Sequence, residues 1–276
     1  MSFAAATHPR LIGLAAGVHR EFTPLETVIS AIDSGFDAVG LWVEPDTWAA
    51  TTTRDLRQRF ADSGLVPMDV EVIWIKPGAP DPNHFKILDI GAEVSAPNAL
   101  VVSSDPNRGA TIEKYSALCR YGAERNMRVS LEFALFTEVK TLADALAVVS
   151  ECDSASAGIL VDPLHLQRSG GTPEQVAAVP RRYFHYAQFC DAPFVGPSPS
   201  DMSGIIAEAV DLRLQAGTGG LPLGALLKAL PAGLPLSVEL RSKSIRESYP
   251  NAHERARAVA AATRKFLDAQ DIDAQD

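Results

Sequence analysis

The strongest constraint in this sequence is a regular alternation of short apolar runs with segments of helical periodicity along the whole chain. Eight runs are rich in β-branched or large apolar residues, which is typical of buried parallel strands connected by helices. The predicted strands are Leu11–Val18, Ala38–Val43, Met68–Ile75, Ala99–Ser103, Arg128–Phe133, Gly158–Val161, Tyr183–Phe189 and Leu236–Leu240. Capping residues followed by proline or an acid predict helix starts at Thr23, Thr111, Thr141 and Thr172.

Eight alternating units favour an α/β fold with a single closed (β/α)8 TIM barrel over a doubly wound sheet. A doubly wound sheet usually has a Gly-rich turn after its first strand, whereas this position reads AAGVHREF. No linker or charge block divides the 276 residues, so one domain over residues 1–276 is predicted. The long segment Ala192–Gly220, between strands seven and eight, is predicted to be irregular, and a lid is favoured over a plain surface excursion.

The charge balance indicates a small-molecule substrate. A net charge of −9 and a pI near 5.2 argue against broad binding to nucleic acid or to an anionic membrane surface. Residues 1–10 lack a signal-peptide pattern and no apolar run reaches about 18 residues, so a cytoplasmic location is expected. A homodimer is expected from the fold class alone.

Acidic residues stand at the predicted ends of otherwise apolar strands. In a TIM barrel the carboxyl ends of the strands build the active site, so these side chains are expected to converge. The proposed metal ligands are Glu132, Asp162, Gln188 and Glu239. Converging buried carboxylates repel unless a cation neutralises them, and oxygen ligands favour Mg²⁺ or Mn²⁺ over Zn²⁺. The alternative is that individual acids pair with Arg241, Arg213 or Lys140.

These residues together resemble the xylose isomerase-like superfamily of sugar isomerases, epimerases, inosose dehydratases and 3-dehydroshikimate dehydratases. That family places Glu on strand five, Asp-x-x-His on strand six, His or Gln with a following acid on strand seven, and Glu on strand eight. The matching positions here are Glu132, Asp162 with His165, Gln188 with Asp191, and Glu239. A later Arg213-x-x-x-Gly217-x-Gly219 motif is similar to the family's substrate-binding arginine and its turn.

The resemblance implies an enzyme with one divalent ion, manganese or magnesium, with cobalt as a further candidate. Glu132 and Glu239 are expected to transfer a proton on a sugar- or polyol-derived hydroxy-ketone through a metal-stabilised enediolate. His165 is expected to be an acid or base that also contacts substrate. The expected substrate contacts are completed by Arg213, His19, Glu44 and Asp191.

Two features separate the alternatives for the reaction. Gln188, followed by Cys-Asp-Ala-Pro, is similar to bacterial 3-dehydroshikimate dehydratases and favours a metal-dependent lyase. The segment ALFTEVKT after Glu132 lacks the Trp and basic residues of those dehydratases, which favours an isomerase or epimerase. A non-catalytic metal-binding subunit is the third hypothesis, and the presence of Glu132 and Glu239 argues against it.

Overall fold

Eight parallel strands form the centre of the protein in the computed structural model, which describes residues 10–273. The strands are β1 Ile12–Leu14, β2 Ala38–Trp42, β3 Val66–Ile75, β4 Asn98–Ser103, β5 Arg128–Glu132, β6 Ala157–Leu160, β7 Ala187–Phe189 and β8 Leu236–Val238. Their order is β6-β5-β4-β3-β2-β1-β8-β7. The Gln188 amide donates to the Val161 carbonyl over 3.0 Å and so brings the two edges together. The (β/α)8 barrel prediction is confirmed.

Helices surround the strands on the outside of the barrel. They are α1 Pro24–Asp33, α2 Ala50–Ser63, α3 Pro82–Glu93, α4 Arg108–Ala123, α5 Leu142–Ser150, α6 Pro163–Arg168, α7 Pro173–Ala177, α8 Met202–Asp211, α9 Leu223–Ala229, α10 Lys243–Ser248 and α11 Ala252–Asp273. Thr23, Thr141 and Thr172 cap α1, α5 and α7 through reciprocal capping boxes, as predicted. Within residues 10–273, no helix has the length and apolar character needed to span a bilayer.

Several predicted boundaries are wrong. Strand β1 ends at Leu14, because Ala16–His19 turns into a short 3-10 helix. Strand β7 begins only at Ala187, since Arg181–Tyr183 is also 3-10. Helix α4 is capped by Asn107 rather than Thr111, whose hydroxyl instead contacts Ser103 inside the protein over 2.8 Å.

The segment Ala192–Gly220 is also more regular than predicted, because α8 occupies its middle. Arg168 holds it to the end of α6: its guanidinium pairs with Glu208 over 2.6 Å and donates to the carbonyls of Pro193 and Phe194. Both partners of the ion pair are nearly buried. The segment is therefore anchored to the barrel by a buried charge pair and backbone contacts.

The barrel is packed from two sides. A large apolar cluster lies between the strands and the helices, while a small one fills the barrel's interior. The interior cluster consists of Ala38, Met68, Leu100, Val102, Leu160 and Tyr186. Because side chains alternate along a strand, the interior positions Leu160 and Tyr186 put Asp162 and Gln188 on the same inward side, two residues closer to the carboxyl ends. This layer is the floor of the site.

Tyr115 couples α4 to the sheet. Its buried hydroxyl lies 2.8 Å from the Val129 carbonyl oxygen and accepts the Gly158 amide proton over 3.0 Å. We expect Tyr115→Phe to lower the free energy of unfolding by about 1–3 kcal/mol, because it leaves buried backbone groups without partners. Urea denaturation measures the change. Tyr121→Phe on the same helix is the control: its hydroxyl is only half-buried against Asp89, and it should cost less. Equal effects would contradict this role of Tyr115.

Candidate active site

Acidic side chains from separate strand ends meet above the floor of the barrel. Glu132 ends β5, Asp162 follows β6 and Glu239 follows β8, and all three are nearly or completely buried. Gln188, in the middle of β7, is also buried. Glu132, Glu239 and His165 line a central cavity of about 80 Å³. The structure therefore brings the predicted carboxylates to one place.

Arg213 lies among these carboxylates. Its guanidinium forms ion pairs with Asp162 and, over 2.9 Å, with Glu239, and its Nε donates to the Ala209 carbonyl over 2.8 Å. The side chain is 2% exposed, so these pairs form away from water. From the sequence, pairing of the acids with arginine is the alternative to metal binding. The structure contains this pairing for Asp162 and Glu239, both through Arg213.

The protonation states follow from burial and neighbouring charge. Arg213 holds the pKa of Asp162 below its usual value against the opposing effect of burial. Burial, together with the charges of Glu239 and Asp162, raises the pKa of Glu132 well above its usual value. Burial lowers the pKa of His165 to about 4, so its imidazole is neutral near pH 7. Its Nε2 lies 3.4 Å from Arg213 Nη2 and can only accept from that donor.

Two side-chain oxygens without hydrogen-bond partners are suited to bind a divalent cation. Glu132 Oε1 and Gln188 Oε1 are buried and have no hydrogen-bond partner among the residues that the structure describes. Ligand atoms of Glu132, Asp162 and His165 lie within 4.8 Å of one another. Buried oxygens without donors, close to an imidazole and a second carboxylate, are a fitting ligand set for such an ion. His165 joins this group, although the sequence suggested it for proton transfer and substrate contact.

Asp191 organises the turn that carries Arg213. Its carboxylate accepts the backbone amide protons of Ala192, Gly217, Gly219 and Leu221 over 2.8–3.1 Å. A Cβ atom on Gly219 would lie 2.4 Å from Asp191 Oδ1, so only glycine permits this approach. Gly217 has a positive φ of 81°. The Gly-x-Gly motif therefore wraps around Asp191, and the predicted substrate contact by this acid remains a prediction.

His19 and Glu44 lie away from the central cavity. His19 is buried beside Ser30 and Phe22, and burial lowers the pKa of its imidazole to about 4. Glu44 is exposed and accepts the indole N–H of Trp42 over 2.6 Å. Neither residue lines the central cavity, and Glu44 lines a neighbouring one.

Several residues of the central cavity have no role assigned from the sequence. They are Trp42, Glu71, Trp74, Phe136 and Arg241, with Ala209 and Val210 contributed by α8. Trp42 and Trp74 stand at the carboxyl ends of β2 and β3, and Arg241 follows β8, so their positions at strand ends are a signal for them. Glu71 lies four residues before the end of β3. Phe136 follows β5 in a turn and packs edge-on against His165, with ring centroids 5.5 Å apart. Nothing in its local sequence indicates this contact.

Comparison with known families agrees with this geometry. The family described as "Xylose isomerase-like TIM barrel" matches residues 29–269 of the chain. The chain belongs to this family. A search of curated proteins found no significant match to this xylose isomerase-like barrel.

Solved structures share the fold of this xylose isomerase-like barrel at low sequence identity. The IOLI protein, with a bound zinc atom, is 14% identical with a TM-score of 0.76, covering 94% of this chain and 97% of that one. The probable 3-DHS dehydratase AsbF of Bacillus anthracis is 16% identical with a TM-score of 0.71, covering 91% and 97%. D-allulose 3-epimerase of Methylomonas sp. is 14% identical with a TM-score of 0.68, covering 96% and 99%.

The chain is also similar to part of a longer protein. It spans 44% of a xylose isomerase-like TIM barrel/4-hydroxyphenylpyruvate dioxygenase fusion protein, with 18% identity, 95% of this chain covered and a TM-score of 0.77. At these identities the similarity demonstrates the fold, and the reaction has to be argued from the site.

We expect Asp191→Ala to lower the free energy of unfolding by about 2–4 kcal/mol, because four backbone amides lose a charged acceptor. Hydrogen exchange should accelerate across residues 214–221, which measures the loosening of the turn directly. Asp201→Ala is the control, since the exposed Asp201 caps α8 through Gly204 and its loss should cost about 1 kcal/mol without affecting that turn. Unchanged exchange at 214–221 would show that the carboxylate does not hold the turn.

Proposed function

We propose that this protein is a divalent-metal-dependent isomerase or epimerase of a sugar- or polyol-derived hydroxy-ketone. The observation that carries the proposal is the convergence of Glu132 and Glu239 on one buried cavity beside Arg213 and His165. Two carboxylates in a site shielded from water can remove a proton from carbon and return it elsewhere. The epimerase in the comparison, which has the same fold, supports this reaction class.

The residues have separate tasks in this proposal. Glu132, which lines the central cavity, is proposed to take the proton, and the positive charge of a bound ion would keep this buried carboxylate ionised. Arg213 holds Glu239 in place through its Nη2 and can orient a substrate oxygen. His165 is neutral and lies beside this guanidinium, where it can exchange a proton with a substrate hydroxyl.

Glu132, Asp162, Gln188 and Glu239 are the proposed ligands of one divalent ion, and His165 is a further candidate. Such an ion supplies positive charge that stabilises negative charge developing on a carbonyl oxygen. Manganese or magnesium suits the oxygen ligands, with cobalt as a further candidate, and the imidazole and the zinc atom of the IOLI structure add zinc to these.

A dehydratase is the second candidate function, and Gln188 is the residue that favours it. A glutamine at this strand position is similar to the 3-dehydroshikimate dehydratases, and a probable 3-DHS dehydratase has the same fold. Both reactions begin with proton removal from carbon next to a carbonyl. They differ in whether a proton returns to carbon or a hydroxyl group leaves.

The ligand assignment predicts the effect of removing single oxygens. We expect Glu132→Gln and Asp162→Asn each to weaken Mn²⁺ binding at least ~10-fold in calorimetric titration, because a neutral amide replaces a charged ligand. Glu138→Gln is the matched control, since Glu138 is exposed and pairs with Lys140. Folded variants that keep the wild-type affinity would remove these two residues from the ligand set.

The reaction is tested by following hydrogen exchange into substrate. Ketoses, inososes and 3-dehydroshikimate are incubated in D₂O with protein loaded with Mn²⁺, and mass and ultraviolet absorbance are recorded. We expect deuterium uptake without loss of water, slowed at least ~10²-fold in Glu132→Gln and Glu239→Gln. Loss of water with a new enone absorbance would transfer the assignment to the dehydratase. Absence of exchange into every hydroxy-ketone would overturn the proposal.

A further inference from the structure

A second cavity adjoins the central one. It has a volume of about 500 Å³ and lies between the segment after β1 and the start of α2, at the carboxyl end of the barrel. Trp42 at the end of β2 lines both cavities and is their shared wall. The first two strand ends thus extend the site sideways, toward the exposed Glu44.

The volumes of the two cavities indicate which part of a substrate each can hold. Pockets that enclose a small molecule usually measure roughly 300–1,000 Å³. The central cavity, at about 80 Å³, accommodates the few atoms that react, whereas the neighbouring cavity, at about 500 Å³, accommodates a whole ring with its substituents. Because both cavities border Trp42, a group in the larger cavity lies next to the cavity that contains Glu132 and Glu239.

The lining of the second cavity combines the two features that a sugar ring requires. Phe22 and Trp48 offer aromatic surface against which the C–H face of a pyranose can pack, and Trp42 adds apolar ring edge beside them. The hydroxyls of Thr47 and Thr51 and the carboxylate of Glu44 offer hydrogen-bond partners for the ring hydroxyls.

The aromatic walls are held in place before any ligand arrives. The Trp42 indole donates to Glu44 over 2.6 Å, and the Arg20 guanidinium covers its ring at 3.3 Å from the centroid. The Trp48 indole donates to Thr53 over 2.9 Å. Walls fixed in this way lose little freedom on binding, which favours affinity.

We propose that the second cavity binds a sugar unit covalently attached to the sugar that reacts, so that the preferred substrate is a ketose-containing disaccharide. This inference rests on the proposed function for the identity of the reacting end. Glu44 lines the second cavity but not the central one, so its predicted substrate contact would be with this attached sugar unit.

The test compares binding of D-fructose, methyl α-D-glucoside and a panel of glucosyl-fructoses of different linkage. Tryptophan fluorescence and calorimetry measure affinity, and deuterium uptake in D₂O measures turnover separately. We expect at least one glucosyl-fructose to bind about 10-fold or more tightly than fructose and to have the higher kcat/KM.

Variants locate the effect. Thr51 is exposed on the first turn of α2, so Thr51→Tyr fills the second cavity without disturbing the core. This variant should bind the glucosyl-fructose no more tightly than fructose, while its fructose affinity and its deuterium uptake into fructose stay unchanged. Trp48→Ala should act in the same direction. Ala143→Tyr is the matched control, because Ala143 is exposed at the equivalent position of α5, away from both cavities.

The outcomes separate the two proposals. If no glucosyl-fructose binds more tightly than fructose, or if Thr51→Tyr leaves the gain intact, the second cavity is not the sugar site. If the wild-type protein exchanges deuterium into neither fructose nor any glucosyl-fructose, the proposed function fails. The fluorescence titrations then still decide whether the cavity binds the glucosyl unit. Fructose exchange without a disaccharide gain would retain the proposed function and reject this inference.

Discussion

The ion pairs of Arg213 with Asp162 and Glu239 are the interaction on which the site depends. All three side chains are nearly or completely buried, and two carboxylates facing each other in that environment without a counter-charge would repel strongly. Removing one partner of a buried pair typically costs about 3–5 kcal/mol, because the other charge is left uncompensated. The acids that follow β6 and β8 can therefore lie close together because Arg213, from the segment between β7 and β8, pairs with both.

The position of Arg213 depends in turn on contacts made by the surrounding segment. Asp191 gathers the backbone amides of the Gly-x-Gly turn, and Arg168 fixes the other side of the segment through Glu208. Helix α8 lies between these anchors and contributes Ala209 and Val210 to the cavity wall. The expected lid is thus folded against the barrel by buried charges: Asp191, which directly precedes the segment, and Arg168, at the end of α6.

This dependence explains what sequence patterns could and could not predict. The strand count and the convergence of Glu132, Asp162 and Glu239 follow from hydrophobic period and parallel topology, which are local and repetitive signals. The end of β1 could not be predicted, because the apolar run continues through Val18. There the backbone turns at Gly17, where a Cβ would lie 2.9 Å from Glu239 Oε1. The turn after β1 therefore packs against a residue that is distant in the sequence, a contact that a local apolar pattern does not contain.

The same limit applies to the charges. Sequence showed acids and arginines, but which of them pair is decided by tertiary distance. Among the described residues, the carboxylates of Glu71, Glu132 and Glu239 line the central cavity together with the guanidiniums of Arg213 and Arg241. Asp162 joins this group through its ion pair with Arg213. Burial raises the pKa values of Glu71, Glu132 and Glu239. For Glu239, the positive charges of Arg213 and Arg241 oppose this rise. In the proposed function, a bound divalent cation would favour the ionised forms of these acids, so Arg213 and the metal would act on the same cluster as complementary positive charges.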